Sequence, residues 1–489
     1  MFSGRFVIAV LDQLRRRETG DRKVFAGPRV RHLRLSLGLN QSAMARDLGI
    51  SASYLNLVER NQRPLTTQLV LKLAAIYELD LRELHGDREA ERVAELTEIF
   101  SDPVFGKMPS ATVFADLVNG YPDIVSGFSS LYSAYRKALS RPAAEGEAEE
   151  TVTSSQDGRY PVEEVRSYFH ARNNYIAALD LAAEAFHASL TTGDDLFSAL
   201  RAHLRDTHQI RVTVLPIHAM PDAQRRFDRH NRRLFLSEML PASARVFQTA
   251  AQVALLTYAD ELERLVAEAI PATPDVAQLL RIALANYFAG ALVMPYGRFI
   301  EAATSARYDL DVLAGRFAAS VEQVAHRTTT LQRSERRGVP FFFLRIDHAG
   351  NVLKRISAGG FPFSRFGGIC PRWRVFDCFA APGETLVQHI GLPDGARYLT
   401  IARTVESVRT RHPFAARRVA LCIGCDVSHA PAVVYADGLN LANPESAVPT
   451  GVACRVCAVP NCPTRAAPAM TQPLKLNPWR KNSWPFEFA

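Results

Sequence analysis

The segment from Pro28 to Ile76 constrains the fold of this chain most, because apolar residues recur there at helical spacing between residues that cap helices. Asn40, Ser51 and Thr66 are suited to begin helices, since their short polar side chains can accept the unpaired N–H groups of a first turn. Gly49 predicts a tight turn between the second and third helices. The sequence therefore predicts four short helices, with apolar faces formed by Val30, Leu33 and Leu37; Met44, Ala45 and Leu48; Leu55 and Val58; and Leu69, Leu73 and Ile76.

Two short helices joined by a tight turn allow the second helix to enter the major groove of DNA. Ser51, Ser53 and Asn56 are predicted to face base edges, and Gln41 to bind a phosphate or brace the recognition helix. The other residues predicted to bind DNA are Tyr54 on the same helix and Arg46, Arg60 and Arg63, which are placed to contact the backbone. The alternative interpretation is a small helical module that binds another protein.

The charge distribution favours a nucleic-acid partner for the same end of the chain. The first 80 residues hold 13 lysines and arginines against 7 acidic residues, a net +6 of the formal +8 of all 489 residues. The stretch from Gln41 to Arg60, QSAMARDLGISASYLNLVER, resembles the helix-turn-helix of Cro and phage repressors (the XRE type). Residues 1–90 are therefore predicted to be an all-α DNA-binding domain.

The chain is too long for one hydrophobic core, so further domains are expected. Helical periodicity continues over residues 93–139, and the acidic, Ser/Thr-rich residues 142–158 indicate a linker, so we assign 91–160 to a helical segment and linker. A helix is predicted over Val162–Ala188, followed by strands at Ile210–Leu215 and Arg233–Ser237 with a polar connection, Arg225–Arg232, between them.

Nearly the whole chain resembles regulators of short-chain fatty acyl metabolism. The resemblance rests on Leu234–Leu240 (LFLSEML), Arg245–Ala250 (RVFQTA), Ala283–Tyr296 (ALANYFAGALVMPY) and a C-terminal cysteine motif. It implies a multidomain fold: the helix-turn-helix domain, a mainly α or α+β sensor domain related to ImmA/IrrE metallopeptidases at 161–335, and a family-specific α+β domain with a cysteine metal site at 336–489.

The residues of an active metallopeptidase are missing from this sequence. Such an enzyme carries His-Glu-x-x-His, in which two imidazoles one turn apart bind zinc and the glutamate activates water. The matching stretch here reads Ala251-Gln252-Val253-Ala254-Leu255, and Leu284 stands where a third ligand, a glutamate, is expected. We therefore predict no catalytic residues and no peptidase activity.

A fold that has lost its catalytic residues is suited to sensing, and the resemblance implies an acyl-coenzyme A effector, with propionyl-CoA the leading candidate. Such a ligand needs cations for its phosphates and an apolar slot for its other parts. The candidate residues are Tyr296, Arg298, Lys354, Arg355 and Arg365, beside Phe341, Phe342 and Phe363. The alternative is that the aromatic residues belong to the core and the arginines to the solvated surface.

The C-terminal part combines predicted strands with clustered cysteines. Residues 341–346 and 351–356 predict a β-hairpin, and further strands are expected around 398–402 and 418–423. Cys454, Cys457 and Cys462 can place three thiolates around one centre. The spacing Cys422-x2-Cys425 with Cys454-x2-Cys457 also fits a zinc ribbon.

The resemblance favours a [4Fe–4S] cluster over zinc, because these regulators share the Cys-Arg-x-Cys-x4-Cys pattern, and it makes Cys370 and Cys425 the candidates for the fourth ligand. Unligated core cysteines are a third possibility, and Cys378 lies in an apolar run that suits a buried small hydrophobe.

The sequence further predicts a cytoplasmic protein that binds a pseudo-palindromic operator as a homo-oligomer, because two-fold symmetry brings two recognition helices to two half-sites. The first ten residues lack the features of a signal peptide, and the apolar run Ile282–Tyr296 is short for a membrane span. Two rival functions are an enzyme acting on acyl-CoA and a redox or iron sensor in which a cluster is the signal.

Overall fold

The computed structural model describes residues 27–60, 62–63, 65–77, 89–106, 108–139, 161–190, 195–364, 369–406, 418–469 and 472–488. The chain divides into two compact units, Met1–Val93 with Pro109–Phe128, and Ala94–Met108 with Ser129–Ala489. The predicted linker at 142–158 lies outside the described residues.

The first unit contains the four predicted helices. The helices from the described N-terminal end to residue 139 are α1 (Gly27–Ser36), α2 (Gln41–Leu48), α3 (Ala52–Glu59), α4 (Thr67–Tyr77), α5 (Glu89–Phe100), α6 (Ala111–Gly120) and α7 (Pro122–Leu139). Helix α6 packs against α1, so the first unit extends beyond the predicted boundary at residue 90.

The core of the first unit follows the predicted apolar faces. Val30, Met44, Leu48, Leu55 and Leu73 are fully buried in one cluster. Leu37 and Ile76, which were assigned to the same faces, are instead 46% and 44% exposed. Leu37 lies just beyond the last residue of α1 and Ile76 near the end of α4, where the helical repeat no longer fixes which way a side chain points.

The second unit begins with helices around a small sheet. Besides the end of α5 and the second half of α7, its helices are α8 (Pro161–Ala171), α9 (Ala177–Ser189), α10 (Leu196–His208), α11 (Ala242–Thr257), α12 (Ala259–Glu268), α13 (Pro274–Val293), α14 (Tyr296–Ser305), α15 (Leu310–Arg316) and α16 (Val321–Thr328). The single helix predicted over 162–188 is wrong. It is interrupted at Asn173 and Asn174, whose φ angles of +50° and +58° are left-handed, a conformation that asparagine tolerates better than most residues.

The small sheet has three strands in the order β1-β3-β2. Strands β1 (Arg211–Leu215) and β3 (Arg233–Ser237) match the predicted strands and pair in parallel. Strand β2 (Arg225–Asp228) pairs antiparallel with β3 and lies inside the predicted polar connection. Its Arg-Arg-Phe-Asp sequence shows no apolar alternation, because β2 lies at the edge of the sheet and only one of its four residues is apolar.

Helix α13 forms the centre of the helical part of this unit. Leu280, Leu284, Phe288 and Leu292 are at most 1% exposed and pack in one cluster with α9, α10 and α11. The helix is long and apolar enough to cross a membrane, but 56% of its most apolar window is buried inside the fold. This burial is what a core helix of a globular domain requires.

The C-terminal part is a six-stranded sheet in the order β5-β4-β8-β7-β6-β9. Its strands are β4 (Phe342–Asp347), β5 (Val352–Ser357), β6 (Leu386–Gly391), β7 (Arg397–Glu406), β8 (Arg418–Asp426) and β9 (Val448–Pro449). The predicted hairpin is present as β4 and β5. Among the described residues after 336, the helical turns are all short 3₁₀ turns, so the α part of the expected α+β fold is supplied by α14 to α16 packing on one face of the sheet.

Candidate functional site

The two helices of the predicted DNA-binding motif are capped as the sequence predicts. Asn40 accepts a hydrogen bond from the backbone of Ala43 at 2.8 Å, and Ser51 accepts one from the backbone of Tyr54 at 3.1 Å. Between the helices, Gly49 has φ +64°, a left-handed conformation that a residue with a Cβ rarely adopts. The turn therefore sets the orientation of α3 relative to α2.

The outer face of α3 is accessible in the first unit. Ser51 and Ser53 are exposed, and Asn56 and Tyr54 are half-buried. The Ser51 hydroxyl already caps the helix, whereas the side chains of Ser53 and Asn56 form no hydrogen bond within the described part of the chain. The predicted backbone-contacting residues are also exposed: Arg46, Arg60 and Arg63.

A buried charged residue that the sequence analysis did not identify holds α3 in place. Glu59, at the end of α3, accepts hydrogen bonds from Arg34 of α1 and from the Gln41 amide at 2.8 Å. Gln41 is thus a brace for the recognition helix, one of its two predicted roles. Helical spacing places Arg34 one turn after Val30 and Glu59 one turn after Leu55, both core residues, but it does not indicate that the two charges pair.

Apolar side chains fill the positions of the metallopeptidase ligands. Ala251 of α11 is 1% exposed and Leu284 of α13 is fully buried, and both belong to the main helical core. Leu255 packs against the same core, and the Gln252 side chain is 3% exposed. None of these four side chains can hold zinc or ionise a water. They pack in or against the hydrophobic core at the positions where a metallopeptidase has its zinc ligands and general base.

The candidate effector residues are spread over different surroundings. Tyr296 is buried, and its hydroxyl donates to the Arg336 carbonyl at 2.7 Å and accepts from the Arg333 backbone. Arg298 hydrogen-bonds His187 at 3.0 Å. Arg365 lies outside the described residues.

The remaining effector candidates lie on β4, β5 and the segments beside them. Lys354 is exposed, whereas its neighbour Arg355 is buried and donates to the Ser364 carbonyl. Phe341 and Phe342 pack into different clusters on the two faces of the sheet. Phe363 packs beside Phe342, with ring centroids 5.6 Å apart. The structure therefore does not bring all the candidates to one pocket.

A buried ionic network joins the helical part of the second unit to the segment that leads into the sheet. Arg327 contacts both carboxylate oxygens of Asp180, at 2.8 and 3.0 Å, and Tyr287 donates to the same carboxylate at 2.7 Å. Burial, with the charge of Asp180 beside it, raises the pKa of Tyr287 well above its ordinary value. Sequence reasoning missed this network, because Asp180 lies more than 100 residues from both Tyr287 and Arg327.

Four of the five predicted metal-ligating cysteines line one cavity. The four are Cys370, Cys454, Cys457 and Cys462. The fifth, Cys425, lies on β8 in the core beneath the sheet, near Tyr308. Cys422 packs on the opposite face, in the cluster that contains Cys378. The zinc-ribbon pairing of Cys422 and Cys425 with the C-terminal cysteines is therefore wrong, and Cys378 is a buried small hydrophobe as predicted.

Backbone N–H groups surround the thiols of this cavity. Val459 donates to the Cys457 sulfur at 3.4 Å, and Ala466 donates to the Cys454 sulfur at 3.5 Å. The backbone of Gly451 hydrogen-bonds Cys370, and a Cβ built on Gly451 would lie 2.5 Å from the Cys457 sulfur. Only glycine therefore fits here, and the donors are of the kind that stabilise thiolate ligands.

The cavity itself is small. Its volume of about 10 Å³ is roughly that of one water molecule. Burial raises the pKa of the Cys370 and Cys457 thiols, so both favour the protonated form unless a cation takes the place of the protons. Within the described part of the chain, no three His, Cys, Asp or Glu side chains are already grouped as the ligands of a metal ion.

Three family models match successive parts of the chain. Residues 30–84 match a helix-turn-helix, and residues 205–329 match the IrrE N-terminal-like domain. Residues 330–486 match the short-chain fatty acyl coenzyme A regulator, C-terminal.

Curated relatives match the chain over almost its full length. The propionyl-CoA carboxylase regulator of Cereibacter sphaeroides is 41% identical over 467 residues, covering 95% of this chain and 99% of the relative. The HTH-type transcriptional regulators RamB and PrpR of Mycobacterium tuberculosis are 38% and 36% identical, covering 95% and 91% of this chain and 98% and 92% of those proteins.

A solved structure is also similar to this chain. A Mycobacterium tuberculosis transcriptional regulator is 38% identical, with a TM-score of 0.64, and the match covers 67% of this chain and 100% of the solved chain.

Proposed function

This chain belongs to the family of short-chain fatty acyl coenzyme A regulators, and we propose that it binds an operator as a homo-oligomer. Its affinity for the operator would change when a short-chain acyl-CoA binds. The accessible face of α3 carries the DNA-binding part of the proposal. Ser53 and Asn56 lie on this face, with Arg46, Arg60 and Arg63 exposed around it. Serine and asparagine side chains can read base edges, and exposed arginines can neutralise phosphates.

The effector part rests on the family and on the degenerate peptidase-like domain. An effector changes operator affinity only if it binds two conformations of the regulator with different strength. Because a relative is named for propionyl-CoA carboxylase, propionyl-CoA is the first effector to test. As a regulator of transcription, the protein would act in the cytoplasm.

The test is fluorescence anisotropy of the full chain on DNA from upstream of its own gene and of neighbouring acyl-CoA metabolic genes, at fixed salt. We expect tight binding to at least one such fragment, weaker binding to random DNA, and a shift in affinity with propionyl-CoA but not with free CoA. Specific binding that no acyl-CoA alters would contradict the effector proposal while leaving the DNA-binding one in place.

For the CoA phosphates we propose Arg298 and Lys354, with Arg365, as contacts. The first two are exposed: Arg298 hydrogen-bonds only His187 among the described residues, and Lys354 lies on β5. Tyr296 and Arg355 donate hydrogen bonds to the backbone carbonyls of Arg336 and Ser364. Their role would be to hold the protein segments around the ligand rather than to contact its phosphates. Replacing Arg298 or Lys354 singly with Ala should raise the acyl-CoA concentration needed for half of the anisotropy shift, without changing affinity for DNA alone.

We further propose that Cys370, Cys454, Cys457 and Cys462 hold a metal centre. The four thiols share one cavity, and backbone N–H groups hydrogen-bond three of them: Cys370, Cys454 and Cys457. The resemblance implies a [4Fe–4S] cluster, which would make the regulator responsive to redox state. The small volume of the cavity favours a second candidate, a single zinc ion.

Iron, acid-labile sulfide and zinc analysis of the anaerobically purified protein separates the two candidates. About four irons with matching sulfide indicate the cluster, and about one zinc indicates the ion. Cys457→Ala should abolish either, whereas Cys425→Ala should leave the metal content unchanged. If the cluster itself is the signal, its removal should change operator affinity even without acyl-CoA.

Relatives of this chain are regulators, and the peptidase ligand positions hold apolar or neutral residues, so we propose that the chain has no enzymatic activity. Incubation of the protein with acyl-CoA should give no free CoA. Turnover at a rate that rises with protein concentration would contradict this proposal.

A further inference from the structure

Arg465 is a buried cation on the wall of the cysteine cavity. The residue is 4% exposed and lines the cavity together with Cys454, Cys457 and Cys462. Its hydrogen bonds with the described residues all go to backbone carbonyls, and none goes to a carboxylate. Burying a guanidinium without an anion costs folding free energy, so the presence of Arg465 on this wall points to a negatively charged partner.

The hydrogen bonds of Arg465 tie the cysteine loop together. Nη1 donates to the Cys454 carbonyl at 3.0 Å, and Nη2 donates to the carbonyls of Cys457 and Val459 at 3.2 and 2.6 Å. Nε is buried and has no hydrogen-bond partner among the described residues. The guanidinium thus fixes the backbone on both sides of Cys457 and keeps one N–H donor unused beside the thiols.

The end of the chain covers the same guanidinium. The Phe488 ring centroid lies 5.1 Å from Cζ of Arg465, within the range of a cation–π contact. Phe488 is held there by an antiparallel bridge to Leu474. The ring shields the charge from water on one side, which strengthens its electrostatic effect on the other.

We propose that Arg465 is a positioning residue for the metal centre: it offsets the negative charge of the thiolate-bound metal and holds the Cys454–Cys457 loop around it. This inference rests on the proposed cysteine site. Zinc with four thiolates and a [4Fe–4S] cluster with four thiolates both carry net negative charge, so the same cation serves either. With a cluster, a positive charge and an N–H donor near its sulfurs also favour the reduced form.

Three variants at this position, purified anaerobically as full chains, separate charge from hydrogen bonding. Arg465→Met removes both, Arg465→Gln keeps donors without the charge, and Arg465→Lys keeps the charge. Arg480→Met is the matched control, because it removes an exposed arginine from the same C-terminal segment. The readouts are metal retained against a chelator, the absorption spectrum and, for a cluster, the midpoint potential.

We expect Arg465→Met to weaken metal retention by about 10- to 100-fold, the usual effect of losing a group that supports metal ligands. Arg465→Gln should fall between Arg465→Met and Arg465→Lys, and Arg465→Lys should recover most of the retention. The midpoint potential of a cluster should fall in Arg465→Met and Arg465→Gln. Arg480→Met should match the wild type.

Wild-type retention, spectrum and potential in Arg465→Met would overturn the inference while leaving the cysteine site intact. A wild-type protein that binds neither iron nor zinc would overturn the cysteine site itself. Circular dichroism in the far ultraviolet checks the fold of each variant independently of its metal content. If Arg465→Met does not fold, a potential or retention in Arg465→Gln equal to that of Arg465→Lys would refute the role of the charge.

Discussion

Arg34 and Glu59 form a buried, two-point ion pair between α1 and α3. Arg34 Nε lies 2.7 Å from Oε1 of Glu59, and Nη2 lies 3.1 Å from Oε2. The hydrogen bond with Glu59 raises the pKa of Arg34, which keeps the guanidinium protonated. Because the Glu59 side chain is only 2% exposed, removal of either partner would leave the other buried without its counter-charge, which costs more than breaking a surface ion pair.

Glu59→Gln should loosen α3 without altering its DNA-facing side. The substitution leaves Arg34 buried opposite a neutral group, at a cost of about 3 kcal/mol. Hydrogen exchange of the α3 amides in the full chain should accelerate, and operator affinity should fall. Asp116→Asn, which changes an exposed charge on α6, is the control and should leave both measurements unchanged. Unaltered exchange in Glu59→Gln would contradict the bracing role.

Asn56→Ala tests the base-reading assignment. Loss of a direct base contact should weaken specific operator binding by about 1 to 3 kcal/mol and leave binding to random DNA nearly unchanged. Arg63→Ala is the matched variant, since a phosphate contact should weaken binding to both DNAs and reduce the salt dependence of affinity. An equal loss on random DNA in Asn56→Ala would refute base reading.

Local patterns in the sequence predict the parts of this fold that are local. The caps Asn40 and Ser51 and the turn at Gly49 depend only on neighbouring residues, and the structure confirms them. The ion pair of Arg34 with Glu59 spans 25 residues, so no periodicity indicates it. Its formation depends on how α1 and α3 pack.

The cysteines show the same limit. The spacing of Cys454, Cys457 and Cys462 indicates a shared site, but it does not choose between Cys370 and Cys425 as the fourth member. Strand β8 decides this choice, because alternate residues of a strand face opposite sides and Cys425 points into the core with Leu421 and Ile423. Cys370 lies between β5 and β6, more than 80 residues before Cys454, and the tertiary fold brings it to the cavity.

Arg327→Met should destabilise the second unit by about 3 kcal/mol, because it removes the guanidinium that contacts both oxygens of the fully buried Asp180 and leaves only the longer ion pair with Arg333, at 3.7 Å. Urea unfolding followed by tryptophan fluorescence measures the loss, and Trp373, 3% exposed, reports on the sheet. Arg316→Met, at an exposed position of α15, is the control and should change the unfolding free energy by less than about 0.5 kcal/mol. Equal effects of the two substitutions would show that the network contributes no more than a surface residue.

His326 should make the second unit less stable in acid. Burial, together with the charges of Lys354 and Arg327, lowers the pKa of His326 well below its ordinary value. The native state therefore keeps the imidazole neutral, whereas the unfolded chain takes up a proton below about pH 6.5. The stability contributed by the neutral form is present above that pH and is lost as the pH falls, by up to about 1.4 kcal/mol per pH unit.

His326→Gln should reduce this loss, measured as the difference in urea unfolding free energy between pH 7.5 and pH 5.5. Part of the acid dependence should remain, because burial also lowers the pKa of His187, His203 and His389. His230→Gln removes an exposed imidazole and should leave the pH dependence unchanged. A pH dependence in His326→Gln equal to that of the wild type would mean that His326 takes up its proton equally in the folded and unfolded chains, and the acid sensitivity would then belong to the other three histidines.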